Sequence, residues 1–295
     1  MYCIYSGEEI DISKSNIEHI IPLSLGGCDE FTIRVDKNTN SRIGSKIDGK
    51  LTQDFLVALN RINAGEKGHS KKEPMYNVPS STKDGAPLIS TFTNKSLRLF
   101  DPKEREYVQY VGPITMRTVL DMDLRIKFVA KVTLATGFFL FGKSFEDYTD
   151  CDALRMIVNS ERLKDLFEEN SDRFEGMRFY DSLHQIEEKD AAMMDIYKMY
   201  CKHSKKSNVL WTYSPESIIV HVAILGEFVG LINCKANISV IPPIENDWLG
   251  HIMVCNGDKL ERSSWRDAIL ETVEVYGLLP KEEIEHAKKF AENFE

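Results

Sequence analysis

The stretch NIEHIIPLSLGGCDEFTIRVDKNTNSRIGSKID, residues 16–48, decides how this chain begins to fold. NIEHIIPL reads as an extended run that ends at Pro22. SLGGCDE, with two glycines and two acids, reads as a loop. FTIRV alternates weakly and reads as a short strand. A helix then begins near Asp36 or Asn38, both good N-caps. Ile43, Ile47, Leu51, Phe55, Leu56 and Leu59 recur at helical spacing, which carries one apolar face to about Ile62. Asn40, Gly44 and Asp48 lie four apart and share another face.

Working outward, Glu18 and His19 stand side by side at the end of the extended run, and Asn40 stands just inside the helix. A carboxylate and an amide oxygen are hard metal ligands. A neighbouring imidazole is a general base near neutral pH. Metal-dependent hydrolysis of a phosphodiester needs these three parts.

EHIIPLSLGG followed by N-x-x-x-G-x-x-x-D resembles the HNH endonucleases of the ββα-metal (His-Me finger) superfamily, over about residues 1–60. The resemblance implies two antiparallel strands joined by a loop, then a helix, with one divalent ion between strand and helix. It implies His19 as the general base, and Glu18 and Asn40 as ligands of Mg²⁺ or Mn²⁺. It implies Pro22, Gly26 and Gly27 as the loop that aims His19. Many relatives brace this unit with zinc on four thiols. The matching positions here are Cys3, Ser6, Asp36 and Thr39, so a structural zinc is not expected and packing or hydrogen bonds take its place. The Asn that orients the histidine in relatives has no match. The region holds Phe31 and Thr32, and a loop backbone carbonyl is the expected substitute.

Lys37, Arg42 and Lys46 flank Asn40 on the helix and are candidate contacts to the phosphate backbone. Lys67, Lys71 and Lys72 surround His69 in a Gly- and Lys-rich stretch and are candidates of the same kind. Asp48 is a candidate to support the metal ligands from behind, or a helix-face residue paired with Arg42 or Lys46.

The rest of the chain sets the context. Residues 1–75 read as the nuclease unit, residues 76–112 as a linker or arm with one hairpin turning at DPKE, and residues 113–295 as an α+β region without a motif. In that region helices are expected at 116–141 with a break near Gly137, at 152–170, at 189–203 and at the acidic end. Two strands over 217–234 turn at Gly226-Glu227, and another covers 250–255. The fold class is therefore α+β. The net charge of −9 excludes a non-specific nucleic-acid coat, yet residues 1–90 are near neutral, with 11 Lys and Arg against 12 Asp and Glu. Six scattered cysteines never form a CxxC pair, which fits a reducing cytoplasm. The most apolar segment, residues 128–142, contains Lys131 and reads as a buried core helix, so no membrane association is expected. The N-terminus carries no targeting pattern.

The function read from these residues is a metal-dependent DNA endonuclease, of the sort that serves bacterial restriction or anti-phage defence. Dimerisation is implied if both strands are cut. The competing readings are a degenerate HNH-fold protein that binds nucleic acid or regulates, and a nuclease that cuts RNA.

Overall fold

The computed structural model describes residues 1–68, 71–181, 188–214, 216–237 and 250–285. Its architecture is mixed α+β with antiparallel sheets. Strand β1 (Ser15–His19) pairs with β2 (Thr32–Asp36), with Glu18 opposite Ile33 and His19 opposite Thr32. The chain passes directly into α1 (Lys37–Ile43), whose cap is the Asp36 carboxylate accepting the Thr39 N–H at 2.7 Å.

The single helix expected to run to Ile62 is not continuous. A π-turn over Gly44–Asp48 follows α1, a short helical turn Gly49–Leu51 follows that, and α2 (Phe55–Ala64) starts afresh. The restart has a physical cause: the Asp54 carboxylate accepts the N–H groups of Leu56 and Val57, an N-cap inside the apolar pattern.

Residues beyond it make more than one hairpin. Strands β3 (Met75–Thr82), β4 (Pro87–Thr93), β5 (Leu97–Asp101), β6 (Glu106–Val108) and β7 (Ile114–Met116) form an antiparallel sheet in the order β6-β5-β4-β3-β7. Phe55 of α2 meets Tyr76 and Phe92 of this sheet at ring separations of 5.7 and 6.4 Å.

Helix α3 (Met122–Phe141) starts at the Asp121 cap, six residues later than the pattern predicts, and runs unbroken through Gly137. Gly137 is a packing position: a Cβ there would lie 2.3 Å from the Phe145 ring. The helix expected over 152–170 is two, α4 (Cys151–Asn159) and α5 (Leu163–Glu169). Helix α6 spans Glu188–Ser204.

A second sheet holds β8 (Arg178–Tyr180), β9 (Asn208–Ser214), β10 (Ser217–Ile224), β11 (Glu227–Lys235), β12 (His251–Asn256) and β13 (Lys259–Ser264), ordered β8-β11-β10-β9-β12-β13. The β10–β11 turn is Leu225-Gly226, one residue earlier than predicted. Helix α7 (Trp265–Tyr276) follows β13. The expected terminal helix falls partly outside the described residues, as does His69.

Both faces of this sheet are buried. Val209, Trp211, Val220, Val222, Val229, Ile232 and Met253 join one core with α3, α4 and the N-terminal strands. Their neighbours Leu210, Ala223, Phe228, Leu231, Ile252 and Val254 join a second core under α6 and α7. The period-two alternation thus serves two layers at once. Tyr5, Ile20, Phe31 and Ile47 belong to the first core, so residues 1–62 share one interior with the second sheet. All six cysteines are buried and unbridged. Among the described residues no helix is long and apolar enough to cross a membrane.

Candidate active site

Strand alternation sends Asn16 and Glu18 to one face of β1 and Ile17 and His19 to the other. The first face meets α1. Asn40 is buried, and its Nδ2 donates to Asn16 Oδ1 at 3.1 Å. Asn40 therefore reaches the strand face that bears Glu18, but it touches Asn16 rather than Glu18 itself.

Glu18 has a different partner. Lys131, in the middle of α3, is fully buried. Its Nζ lies 2.7 Å from Glu18 Oε1 and 3.2 Å from Asp48 Oδ2, and donates to the Ile20 carbonyl at 3.2 Å. Asp48 arrives there on the π-turn, the kind of local irregularity that re-aims a side chain. Burial pushes the Asp48 carboxyl up to about 6, against the pull of Lys131 and with a further push from Glu18. Burial alone would lower Lys131, but the two carboxylates outweigh it and raise it. The buried Tyr5 hydroxyl is raised by desolvation and by both carboxylates, and among the described residues neither it nor Asp48 Oδ1 has a hydrogen-bond partner. Asp48 thus faces α3 and pairs with Lys131 rather than with Arg42 or Lys46. Lys131 was legible only as a lysine inside an apolar helix, and such a residue needs an anionic partner when buried.

His19 is held from the loop. Its Nε2 lies 2.9 Å from Asp29 Oδ1. A carboxylate of the loop thus contacts the imidazole at Nε2. An Asp–His contact fixes the tautomer and orientation of the imidazole. The loop is tightly wound. Leu25 and Gly27 donate their N–H groups to the Pro22 carbonyl at 2.8 and 3.1 Å, and Gly26 has φ +74°. A Cβ on Gly27 would sit 1.7 Å from the Ile21 carbonyl oxygen, so only glycine fits.

At Cys3 and Asp36, where the resemblance would place zinc thiols, the Asp36 N–H donates to Cys3 Sγ at 3.3 Å while the Asp36 carboxylate caps α1. The basic candidates separate into two places. Arg42 and Lys46 line a cavity of about 300 Å³ together with Lys50 and Lys127, which sequence reasoning did not single out. Lys67 and Lys71 line another, of about 670 Å³. Lys37 and Lys72 are exposed and line neither.

No family model, curated protein or solved structure matches this chain.

The donor set suits a hard divalent cation. No three His, Cys, Asp or Glu side chains group as ligands among the described residues, so an ion would rest on one carboxylate and amide oxygens. The Lys131 contact uses Glu18 Oε1, and the Asn40–Asn16 bond uses Nδ2, which leaves Glu18 Oε2 and Asn40 Oδ1 as donors. Oxygen ligands of this number suit Mg²⁺ or Mn²⁺, which keep waters and take substrate oxygens.

Proposed function

We propose that this chain is a divalent-metal-dependent endonuclease that hydrolyses DNA phosphodiester bonds. One observation carries the reading: Glu18 and His19 end a hairpin strand, and the helix that follows the hairpin lays Asn40 on the strand face that bears Glu18. His19, oriented by Asp29, accepts the proton of the attacking water. Glu18 and Asn40 hold Mg²⁺ or Mn²⁺, which when bound supplies Lewis-acid stabilisation of the scissile phosphate and the departing oxygen. Arg42, Lys46, Lys50 and Lys127 offer a basic groove for the phosphate backbone. A single site of this kind nicks one strand, so double-strand cleavage calls for a homodimer. A role in restriction or anti-phage defence and a cytoplasmic location rest on the resemblance and on composition.

A specific contact favours the second reading, a regulatory or nucleic-acid-binding protein on a degenerate HNH fold. The Lys131 ammonium already neutralises Glu18, as a metal would.

Plasmid cleavage separates the two. Wild type and His19→Ala are incubated with Mg²⁺, Mn²⁺ or EDTA, with an RNA substrate in parallel. Metal-dependent nicking that His19→Ala loses supports the proposal. A wild type inert on DNA and RNA with every metal removes the enzyme reading. Undiminished cleavage by His19→Ala removes the site assignment.

A further inference from the structure

The larger of the two basic cavities is walled in part by the loop that follows His19. Its walls come from distant parts of the chain: Gly26 and Gly27 of that loop, Gly65 to Lys67 after α2, Lys71, Lys205 to Ser207 after α6, Leu225 in the β10–β11 turn, and Cys255 to Asp258 at the β12–β13 turn. Four lysines (Lys67, Lys71, Lys205, Lys206) and two acids, Glu66 and Asp258, line it in a chain whose net charge is −9, and Lys67 is paired with Glu73 at 2.5 Å. At about 670 Å³ the space falls within the range of small-molecule sites. A cavity lined by lysines and glycines is suited to phosphate, because the absent side chains admit close approach and ammonium groups neutralise it.

Two further observations mark the place as built rather than incidental. Of the four described non-glycine residues with positive φ, three line this cavity: Lys71 at +54°, Lys205 at +53° and Leu225 at +52°. Such conformations cost free energy and persist where the surroundings enforce them. The cavity wall is also joined to the His19 loop. Ser207 Oγ donates to the Leu25 carbonyl at 2.5 Å and accepts the Leu225 N–H at 2.9 Å, and a Cβ on Gly26 would lie 2.5 Å from Leu225 Cδ2.

We infer that this cavity is a binding site for a phosphorylated small molecule of nucleotide size, seated between Lys205-Lys206 and the Gly26-Gly27 loop. It is distinct from the Glu18–His19–Asn40 site and stands whether or not that site cuts DNA.

The test is a fluorescence titration of the full chain with trinitrophenyl-ATP, competed by ATP, pyrophosphate or a ten-nucleotide oligothymidylate. Saturable binding displaced by ATP and pyrophosphate is expected. Lys205→Gly/Lys206→Glu should weaken it at least tenfold with its melting temperature within a few degrees of wild type. Hydrogen exchange on wild type with ATP adds a readout that needs no variant, with slowing expected at residues 23–27, 205–207 and 255–258. Absence of saturable binding, displacement by the oligonucleotide alone, unchanged affinity in the double variant, or slowing confined to another face each overturns the inference.

Discussion

The ammonium of Lys131 lies 2.7 Å from Glu18 Oε1 in a fully buried position, so a helix of the second region holds the carboxylate that ends β1. Asp48 completes the contact at 3.2 Å. Removing the cation strands two carboxylates in a low-dielectric interior, where breaking a buried pair costs about 3–5 kcal/mol. Lys131→Met should lower the urea midpoint accordingly, and adding Asp48→Asn should restore part of the loss. A Lys131→Met variant within about 1 kcal/mol of wild type would contradict the arrangement.

Asp48 also makes stability depend on pH. Its folded carboxyl titrates at about 6, above the usual 3.8, so the folded state binds this proton more tightly than the unfolded chain. Its contribution is fully present below pH 3.8 and declines as pH rises toward 6, with a slope of at most about 1.4 kcal/mol per pH unit. Buried His221 and His251 act oppositely. Desolvation lowers them to about 3 and about 4, so their contribution is lost as pH falls below 6.5. The clean observable is therefore a difference. Wild type minus Asp48→Asn, measured by urea unfolding, should fall steadily between pH 4 and 6. A difference flat with pH would show that Asp48 is not the titrating group.

Asp29 should matter to the rate more than to the fold. It is largely exposed, and its partner is the His19 imidazole. Asp29→Asn should cut cleavage about 10- to 100-fold. Its melting temperature should stay within a few degrees of wild type, because the carboxylate is exposed. A slower rate with a matching loss of stability would assign Asp29 to the loop alone.

Two glycines seventeen residues apart in the sequence, Gly27 and Gly44, make opposite predictions. Gly27→Ala forces a Cβ to within 1.7 Å of the Ile21 oxygen and should destabilise by about 2 kcal/mol or more, with lost order around His19. Gly44 is helical, and a Cβ there meets nothing within 4 Å. Gly44→Ala should be neutral, or stabilise by up to about 1 kcal/mol. Thermal melting of both variants checks the contrast.

Local signals were readable in the sequence where local physics decides the outcome. The hairpin, its loop glycines and the Asp36 cap follow from propensity and turn chemistry within a few residues. The alternation of residues 217–234 announced two strands, while the strand Asn208–Ser214 was not read from the sequence. The restart at Asp54 was hidden because an apolar helical pattern ran straight through the cap. Lys131 and Asp29 were hidden for another reason: each acquires its role from a partner brought close by tertiary packing, Lys131 from 113 residues beyond Glu18 and Asp29 from across the loop. Pattern and spacing carry no record of such distances.

The buried lysine has a consequence for how this chain could be rearranged. A stretch comprising residues 1–75 looks like a cassette, something to be excised and grafted onto another carrier. Cut free, it would take Glu18 and Asp48 without their counter-ion and leave Ile20 and Phe31 without a wall. The two parts therefore fold as one piece, and a transplant of residues 1–75 would have to bring α3 with it.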